Sequence, residues 1–373
     1  MPNPALQQTS GRHVTEIPNG IRSKRFQRGL LHRARERIRL LRSPDLGALR
    51  GLIKKLETTQ SKIEAAQREI EALLRIGYSP LPLISPLELK TQDRYDLESR
   101  CRALTNPVYL GNQTAICRIL GSYKLYLDTA DTGFSSNVIL DGYWEMWLTI
   151  FFARHLLPGM TVVDVGANFG YYTLLFGALV GDTGHVYSVE PNPTVVARLR
   201  RSVDLNGLAR RTTIVEAAAG SIHGSEAVLY VPHGEAKNAT IIASPETISP
   251  DLGTIHKVLE VSLDEVTAPA TRIDFIKIDV EGSEEAVITG LMRTLTRDRP
   301  GLLIEFNAGR YRDARGFVNQ LQSVYNRMRY IDYEGNAVSI TSGQVVSDRL
   351  GEDWLLYFDQ LQPPSTDPEN KPE

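Results

Sequence analysis

The stretch TVVDVGANFGYYTLL, residues 161–175, decides the fold class of this chain. A short apolar run ends in Asp164, and the turn that follows contains Gly166 and Gly170. A segment of helical composition comes after Gly170. In open parallel sheets, ligands bind beyond the carboxyl ends of the strands. Gly166 and Gly170 permit a tight turn with close backbone approach to such a ligand. The stretch therefore predicts a strand, a ligand-binding turn and a helix.

Strands and helices alternate from residue 161 onwards. Helical stretches near 171–180, 194–206, 283–297 and 316–328 separate most of five apolar runs, which read TVVDVG, HVYSVE, TTIVEAA, DFIKIDV and GLLIEFN. Near-continuous apolar strands between amphipathic helices predict a parallel sheet covered on both faces. YIDYEG and WLLYFD near the carboxyl end add two antiparallel edge strands. We expect an α/β fold with a mostly parallel, seven-stranded sheet.

The part of the chain before this sheet has a different pattern. Residues 1–45 are basic and irregular, and apolar residues recur every three or four positions over residues 46–76. That rhythm is typical of a coiled-coil helix, which predicts either a homo-oligomer or packing on the chain's own body. Three prolines then forbid helical continuation in a linker at 77–87. The remaining predicted segments are an acceptor-side or lid region at 88–160, a ligand-binding domain at 161–360 and a disordered tail at 361–373.

Composition places the chain among ordinary globular proteins. It has 42% hydrophobic and 23% charged residues, and its two cysteines make no disulfide framework. The first 16 residues lack the apolar core of a secretory signal, and the most apolar stretch is too short to span a bilayer. We therefore expect a cytoplasmic protein without a transmembrane segment. The basic N-terminal part has no pattern of interleaved aromatic residues that suggests nucleic acid as a partner.

Two ligand classes compete for the turn after the first strand. A dinucleotide needs G-x-G-x-x-G, but Asn168 replaces the middle glycine and the last spacing differs. Asp164 would sit badly against a pyrophosphate, and it suits an ammonium group such as that of S-adenosylmethionine. Glu190 ends the second strand, where a carboxylate can accept hydrogen bonds from both ribose hydroxyls. NAD-binding folds also use an acid there, so Glu190 alone leaves both cofactors open.

Four motifs, VVDVGANFGYYTLL, VYSVEPNP, FIKIDVEGSEEAVITGL and LLIEFN, resemble in order and spacing the FkbM family of S-adenosylmethionine-dependent methyltransferases. The resemblance covers about residues 130–320 and implies a Rossmann-like methyltransferase fold. It also implies O-methylation, frequently of a sugar hydroxyl in a glycan, glycolipid or glycosylated natural product. The residues expected to bind S-adenosylmethionine are Asp164, Gly166, Ala167, Asn168, Gly170, Glu190 and Asn192.

Methyl transfer to an alcohol needs help at the hydroxyl proton, because an alcohol has a high pKa. Asp279 ends the fourth strand and Glu281 follows it, so either can accept the proton directly. Alternatively, Asp279, Glu305 and Asn307 hold a divalent cation such as magnesium or calcium, in an arrangement similar to that of catechol O-methyltransferases. We favour the metal-free route, because the family motif does not require a metal. Glu145 joins the catalytic candidates because it recurs in the family pattern.

The segment before the first sheet strand offers groups for a sugar ring. It mixes hydrogen-bonding and aromatic side chains, namely Asp131, Asn137, Asp141, Tyr143 and Trp144. The alternative is that the tryptophans are core residues of a helix. Two other functions remain open at this point: an NAD-dependent oxidoreductase, and a non-catalytic scaffold built on a methyltransferase fold.

Overall fold

The computed structural model describes residues 46–77, 82–243, 251–348 and 351–360. The segments 1–45 and 361–373, predicted to be irregular, lie outside these residues. The described residues up to Ala66 belong to one unit and those from Gln67 onwards to another. Among the described helices, none combines the length and apolar character that a bilayer crossing requires.

The secondary structure follows the predicted alternation. The helices are α1 Leu46–Gly77, α2 Pro86–Thr91, α3 Arg94–Leu104, α4 Ser135–Asp141, α5 Met146–His155, α6 Tyr171–Leu179, α7 Pro193–Leu205, α8 Leu263–Val266, α9 Glu284–Thr289, α10 Met292–Asp298, α11 Ala314–Val324 and α12 Ser342–Ser347. The strands are β1 Val108–Gly111, β2 Thr114–Ile119, β3 Tyr123–Asp128, β4 Thr161–Val165, β5 His185–Val189, β6 Thr212–Val215, β7 Ala218–Ala219, β8 Glu226–Pro232, β9 Thr240–Ile241, β10 Gly253–Val261, β11 Phe275–Ile278, β12 Gly301–Phe306, β13 Arg327–Ile331, β14 Ala337–Ser339 and β15 Trp354–Asp359.

The central sheet has the strand order β14-β13-β15-β12-β11-β4-β5-β6. The five strands from β12 to β6 are parallel, and the other three pair antiparallel. The Rossmann-like methyltransferase fold is confirmed, with two corrections to the sheet. It has eight strands rather than seven because β14 forms a hairpin with β13. In addition, WLLYFD lies between β12 and β13 rather than at an edge.

The hairpin has a local cause. The carboxylate of Asp332 accepts the backbone N–H groups of Glu334 (2.9 Å) and Asn336 (2.8 Å), which closes the turn between β13 and β14. Side-chain capping of this kind is why Asp is frequent in turns. The predicted strand YIDYEG therefore ends at Ile331 and its second half is the turn.

The two faces of the sheet bury separate apolar clusters. Along β4, Val162 packs into one cluster while Val163 and Val165 pack into the other, as the alternation of strand side chains requires. Residues 88–160 contribute α5, whose Phe152 ring lies 5.7 Å from that of Phe275 on β11. This region therefore shares a core with the sheet and covers one of its faces.

Two smaller sheets flank the central one. The strands β1-β2-β3 form an antiparallel sheet within residues 88–160. The long insertion between β6 and β11 forms a second sheet in the order β7-β10-β8-β9. The second of these sheets reaches the cavity at the carboxyl edge of the central sheet through residues such as Ala219, Leu229 and Ile241.

The N-terminal helix α1 spans the predicted coiled-coil segment. Its seam residues Leu56, Ile63, Ile70 and Leu74 are exposed, and their pairing with a second copy stays a prediction. Within residues 67–77 the opposite face packs on the body, because Ala72 is buried beside Tyr126 and Leu110.

The proline-rich linker is partly helical. Residues 78–81 are not described, but α2 begins at Pro86, inside the predicted linker. Ser85 and Glu88 form a capping box at its start, and proline is favourable in the first helical turn. The prolines therefore end one helix and start another.

Candidate active site

The turn after β4 is shaped by the neighbouring strand. Gly166 has a φ of 75°, and a Cβ built on it would lie 1.8 Å from the backbone oxygen of Asp279. Gly170 has a φ of 98°, and its Cβ would lie 2.4 Å from Leu199 on α7. Both glycines are therefore required by the packing of the turn as well as by its conformation.

Glu190 follows β5 and points into the cavity at the carboxyl edge of the sheet. Its two carboxylate oxygens accept the backbone N–H groups of Asn168 and Asn192, each at 2.9 Å. Burial is the main reason why the pKa of Glu190 rises to about 7. Each carboxylate oxygen can accept a further hydrogen bond, so Glu190 can hold two ligand hydroxyls when it is ionised.

Asp164 does not reach the cavity. It is fully buried, Thr173 donates a hydrogen bond of 2.6 Å to its Oδ2, and Lys277 Nζ lies 3.7 Å from its Oδ1. Lys277 lines the cavity in its place. The expectation that Asp164 contacts a ligand ammonium directly therefore needs revision.

Some of the other residues predicted to bind the cofactor line the cavity, and others do not. Gly166, Ala167 and Asn168 line the cavity, whereas Gly170 and Asn192 do not. Asn192 acts through its backbone N–H on Glu190, and its side chain accepts the N–H of Thr194 to cap α7. Its predicted role thus becomes an indirect one.

The cavity contains three carboxylates from the ends of β11 and β12. Asp279 lies 3.3 Å from Lys277, and Arg310 lies 3.1 Å from both Glu281 and Glu305. Burial raises the pKa of Glu281 to about 7 and that of Glu305 to about 9, and neighbouring carboxylates add to both shifts. These acids therefore include groups that can take up a proton near neutral pH.

The predicted metal ligands are only partly brought together. Asp279, Glu281 and Glu305 can each offer one oxygen within 4.8 Å of the others, which suits a hard cation. The side chain of Asn307 already has partners, because its amide NH₂ donates to Asp353 (2.9 Å) and its oxygen accepts the N–H of Gly309 (3.0 Å). Its role as a ligand stays a prediction, and Glu281 is the acid that stands beside Asp279 and Glu305 among the described residues.

Glu145 reaches the cavity from the segment before α5. Tyr172 donates a hydrogen bond of 2.7 Å to its carboxylate, and burial raises its pKa. Its φ of 40° lies in the left-handed region, as do those of Asn168 (51°) and Glu281 (53°). Such backbone conformations cost about 1–3 kcal/mol each and cluster at functional sites, so the three strained residues support this cavity as the site.

The sugar-binding groups expected before β4 are mostly engaged elsewhere. Asp131 accepts three backbone N–H groups, and Asp141 and Tyr143 contact Arg102. Asn137, on α4, donates to the backbone carbonyl of Gly133 just before that helix. Trp144 lines the cavity together with Phe134, so it is the member of this group that faces a ligand.

Four cavity or near-cavity residues were missing from the predicted set: Tyr172, Lys237, Lys277 and Arg310. Lys277 could have been found, because it lies two residues before Asp279 on one face of β11. Tyr172 and Arg310 lie close in sequence to the predicted residues Gly170 and Glu305, but no pattern marks them as site residues. Lys237 comes from the insertion between β6 and β11, far along the chain from the predicted motifs.

The cavity extends along the carboxyl edge of the central sheet and is partly open to solvent. It offers about 150 Å³ to the centres of water-sized molecules. Glu190 follows β5 and Glu305 lies near the end of β12, and these strands are three positions apart in the sheet. At about 4.8 Å per strand, the two acids stand on the order of 14 Å apart.

The comparisons with known proteins agree with this arrangement. Residues 164–334 match the family model of the methyltransferase FkbM domain. The chain is 30% identical over 105 residues to the tRNA wybutosine-synthesizing protein 2 homolog of Danio rerio, covering 28% of this chain and 24% of that protein. It is 45% identical over 49 residues to the protein-L-isoaspartate O-methyltransferase of Methanothrix thermoacetophila, covering 13% and 23%. The chain thus spans about a quarter of the length of these curated relatives.

Among solved structures, the chain is similar to methyltransferase FkbM from Methylobacillus flagellatus KT. The TM-score is 0.37 with 21% identity, over 60% of this chain and 52% of that chain. The match of the family model includes the turn after β4, Glu190 and all three carboxylates after β11 and β12. It confirms the predicted family with its cofactor S-adenosylmethionine, in preference to a dinucleotide. Residues 164–334 therefore match the methyltransferase FkbM domain, the family predicted from the sequence.

Proposed function

We propose that this chain is an O-methyltransferase that acts on a sugar hydroxyl of a glycan, glycolipid or glycosylated natural product. The observation that carries the proposal is one cavity with acids at both ends. Glu190 stands at one end as an acceptor for ribose hydroxyls. Asp279, Glu281 and Glu305 stand at the other end as acceptors for the proton of a second hydroxyl.

Residues of the β4 turn and of the β5 end fit the cofactor. Gly166, Ala167 and Asn168 line the cavity, and Glu190 offers an acceptor-only carboxylate when ionised. When bound, S-adenosylmethionine supplies a methyl group that is already activated. The protein has to bind the nucleoside, orient the acceptor hydroxyl and exclude water.

Glu281 is the proton acceptor that the electrostatics favour. A general base works best when its pKa lies near the working pH, and the pKa of Glu281 is about 7. Asp279 is held by Lys277 and orients the same hydroxyl. Glu145, with its raised pKa and its hydrogen bond from Tyr172, offers a further polar contact to the acceptor.

A metal-free route remains our proposal for the proton. Arg310 already contacts Glu281, Glu305 and Asp353, so the chain supplies its own cation at the carboxylate cluster. A divalent ion would have to displace this guanidinium. We expect methyl transfer to be unaffected by EDTA and by the addition of magnesium.

The lining favours a neutral acceptor such as a sugar. Five carboxylates reach the cavity, while Lys237 and Lys277 are its basic side chains within the described residues. A surface of this kind repels the phosphates of RNA or DNA, whose binding depends on Lys and Arg. Trp144 adds an apolar face beside these polar groups, a combination that suits a sugar ring.

The first experiment tests the cofactor end. Isothermal titration with S-adenosylhomocysteine should show binding that is weakened about 10- to 100-fold in Glu190→Gln, because a hydrogen bond to a charged group contributes about 1.5–3 kcal/mol. Glu226→Gln, an exposed acid on β8, serves as the control. Equal affinities in wild type and Glu190→Gln would contradict the assignment of Glu190.

The second experiment tests the reaction. The enzyme is incubated with methyl-labelled S-adenosylmethionine, a panel of glycans and glycolipids, and total RNA, and products are identified by mass spectrometry. We expect a methyl ether on a sugar hydroxyl, and a rate at least about 100-fold lower in Glu281→Gln. Label in RNA alone would refute the acceptor class. Label in no fraction, with intact nucleoside binding, would favour a non-catalytic scaffold.

A further inference from the structure

Lys277 is a buried cation at the floor of the cavity. Its side chain is 3% exposed, and its Nζ lies 3.3 Å from Asp279 and 3.7 Å from Asp164. Burial, the largest single influence, lowers the pKa of Lys277, but Asp279 and Asp164 together outweigh it and the pKa is raised. Lys277 is therefore a fixed positive charge between two acids.

Asp164 is buried in the interior of the protein and makes its contacts there. Thr173 donates to its Oδ2 and also lies 2.6 Å from the hydroxyl of Ser188. The other oxygen, Oδ1, has no hydrogen-bond partner within the described part of the chain and faces the ammonium of Lys277. A carboxylate with no exposed surface cannot touch a ligand in the cavity, so its influence on the site must pass through Lys277.

Lys277 also contacts the residue that holds Glu145. Its Nζ lies 5.3 Å from the ring centroid of Tyr172, within the range of a cation–π interaction. The hydroxyl of the same tyrosine donates to Glu145. One ammonium group thus touches Asp279 directly and Glu145 through a single intervening ring.

We propose that Asp164 and Lys277 are a positioning pair for the acceptor side of the site. Asp164 fixes Lys277, and Lys277 fixes the carboxylate of Asp279 and the ring of Tyr172 that carries Glu145. Asp164 thus serves methyl transfer rather than the ammonium group of the cofactor. The inference rests on the proposed function, since it assigns these carboxylates to the acceptor.

The test separates cofactor affinity from transfer. Asp164→Asn and the double variant Asp164→Asn/Lys277→Met are compared with Glu190→Gln and wild type. We use the double variant because Lys277→Met alone leaves Asp164 charged and unpaired in the core. Affinity for S-adenosylhomocysteine should stay within about threefold of wild type in both, because neither variant touches Glu190. Transfer should fall about 100-fold in the double variant, as expected for misplaced catalytic groups.

Each outcome decides the inference. Loss of S-adenosylhomocysteine affinity in folded Asp164→Asn, comparable to that in Glu190→Gln, would overturn it, and so would full transfer by the double variant. If wild type methylates no acceptor of the panel, the proposed function fails separately. The nucleoside titrations and a crystal structure of the double variant then give the answer. We expect displaced carboxylates of Asp279 and Glu145 in that structure, and unchanged positions would refute the positioning role.

Discussion

Replacing Gly166 by alanine tests whether the turn after β4 is dictated by contact with β11. The new Cβ would lie 1.8 Å from the backbone oxygen of Asp279, so the two segments must separate by more than about 1 Å to restore normal contact. The N–H of Asp279 donates to Val165 at 3.2 Å, and separation weakens that bond. Overpacking costs about 1–3 kcal/mol and the left-handed conformation about 1–2 kcal/mol. We expect a total destabilisation of about 2–5 kcal/mol.

Gly207→Ala is the matched control for this change. Gly207 has a φ of 70°, close to the 75° of Gly166, but a Cβ at this position would have no neighbouring atom within 4 Å. It should therefore lose only the conformational part, about 1–2 kcal/mol. Urea unfolding of both variants gives the difference. If Gly166→Ala lies within about 1 kcal/mol of Gly207→Ala, the steric argument is refuted.

Further predictions concern charge, metal and assembly. The pKa values of Glu281 and Glu305 are raised from 4.5 to about 7 and about 9, so the stability they contribute is complete below pH 4.5 and lost as the pH rises through 7 to 9. Glu305→Gln should flatten this fall in urea unfolding between pH 5 and 9, and an unchanged slope would contradict the assignment. EDTA should leave labelled methyl transfer within about twofold of the untreated rate, and abolition restored by magnesium would establish the metal route. The double variant Leu56→Asp/Ile63→Asp should lower the mass measured by light scattering, because charges on a coiled-coil seam oppose pairing. An identical mass would remove α1 as an oligomer contact.

Much of the fold was predictable because its signals are local. The five apolar runs became β4, β5, β6, β11 and β12 in the predicted parallel sheet. The two glycines predicted the turn after β4. The positions of Glu190, Asp279 and Glu281 at strand ends predicted that they would be cavity residues. The position of β15 inside the sheet was not predictable, because the sequence pattern of a strand does not indicate which strands pair with it.

The sequence by itself determined the elements, the family and the acids at the strand ends. Only the tertiary structure decided which of those acids face the ligand. Asp164 is buried and faces Lys277, 113 positions away in the sequence. Asn307 donates to Asp353, whereas Glu281 lies in the acidic cluster of the cavity. The physical reason is that periodicity places a side chain on one side of a strand, whereas its ionic partner depends on contacts between distant segments.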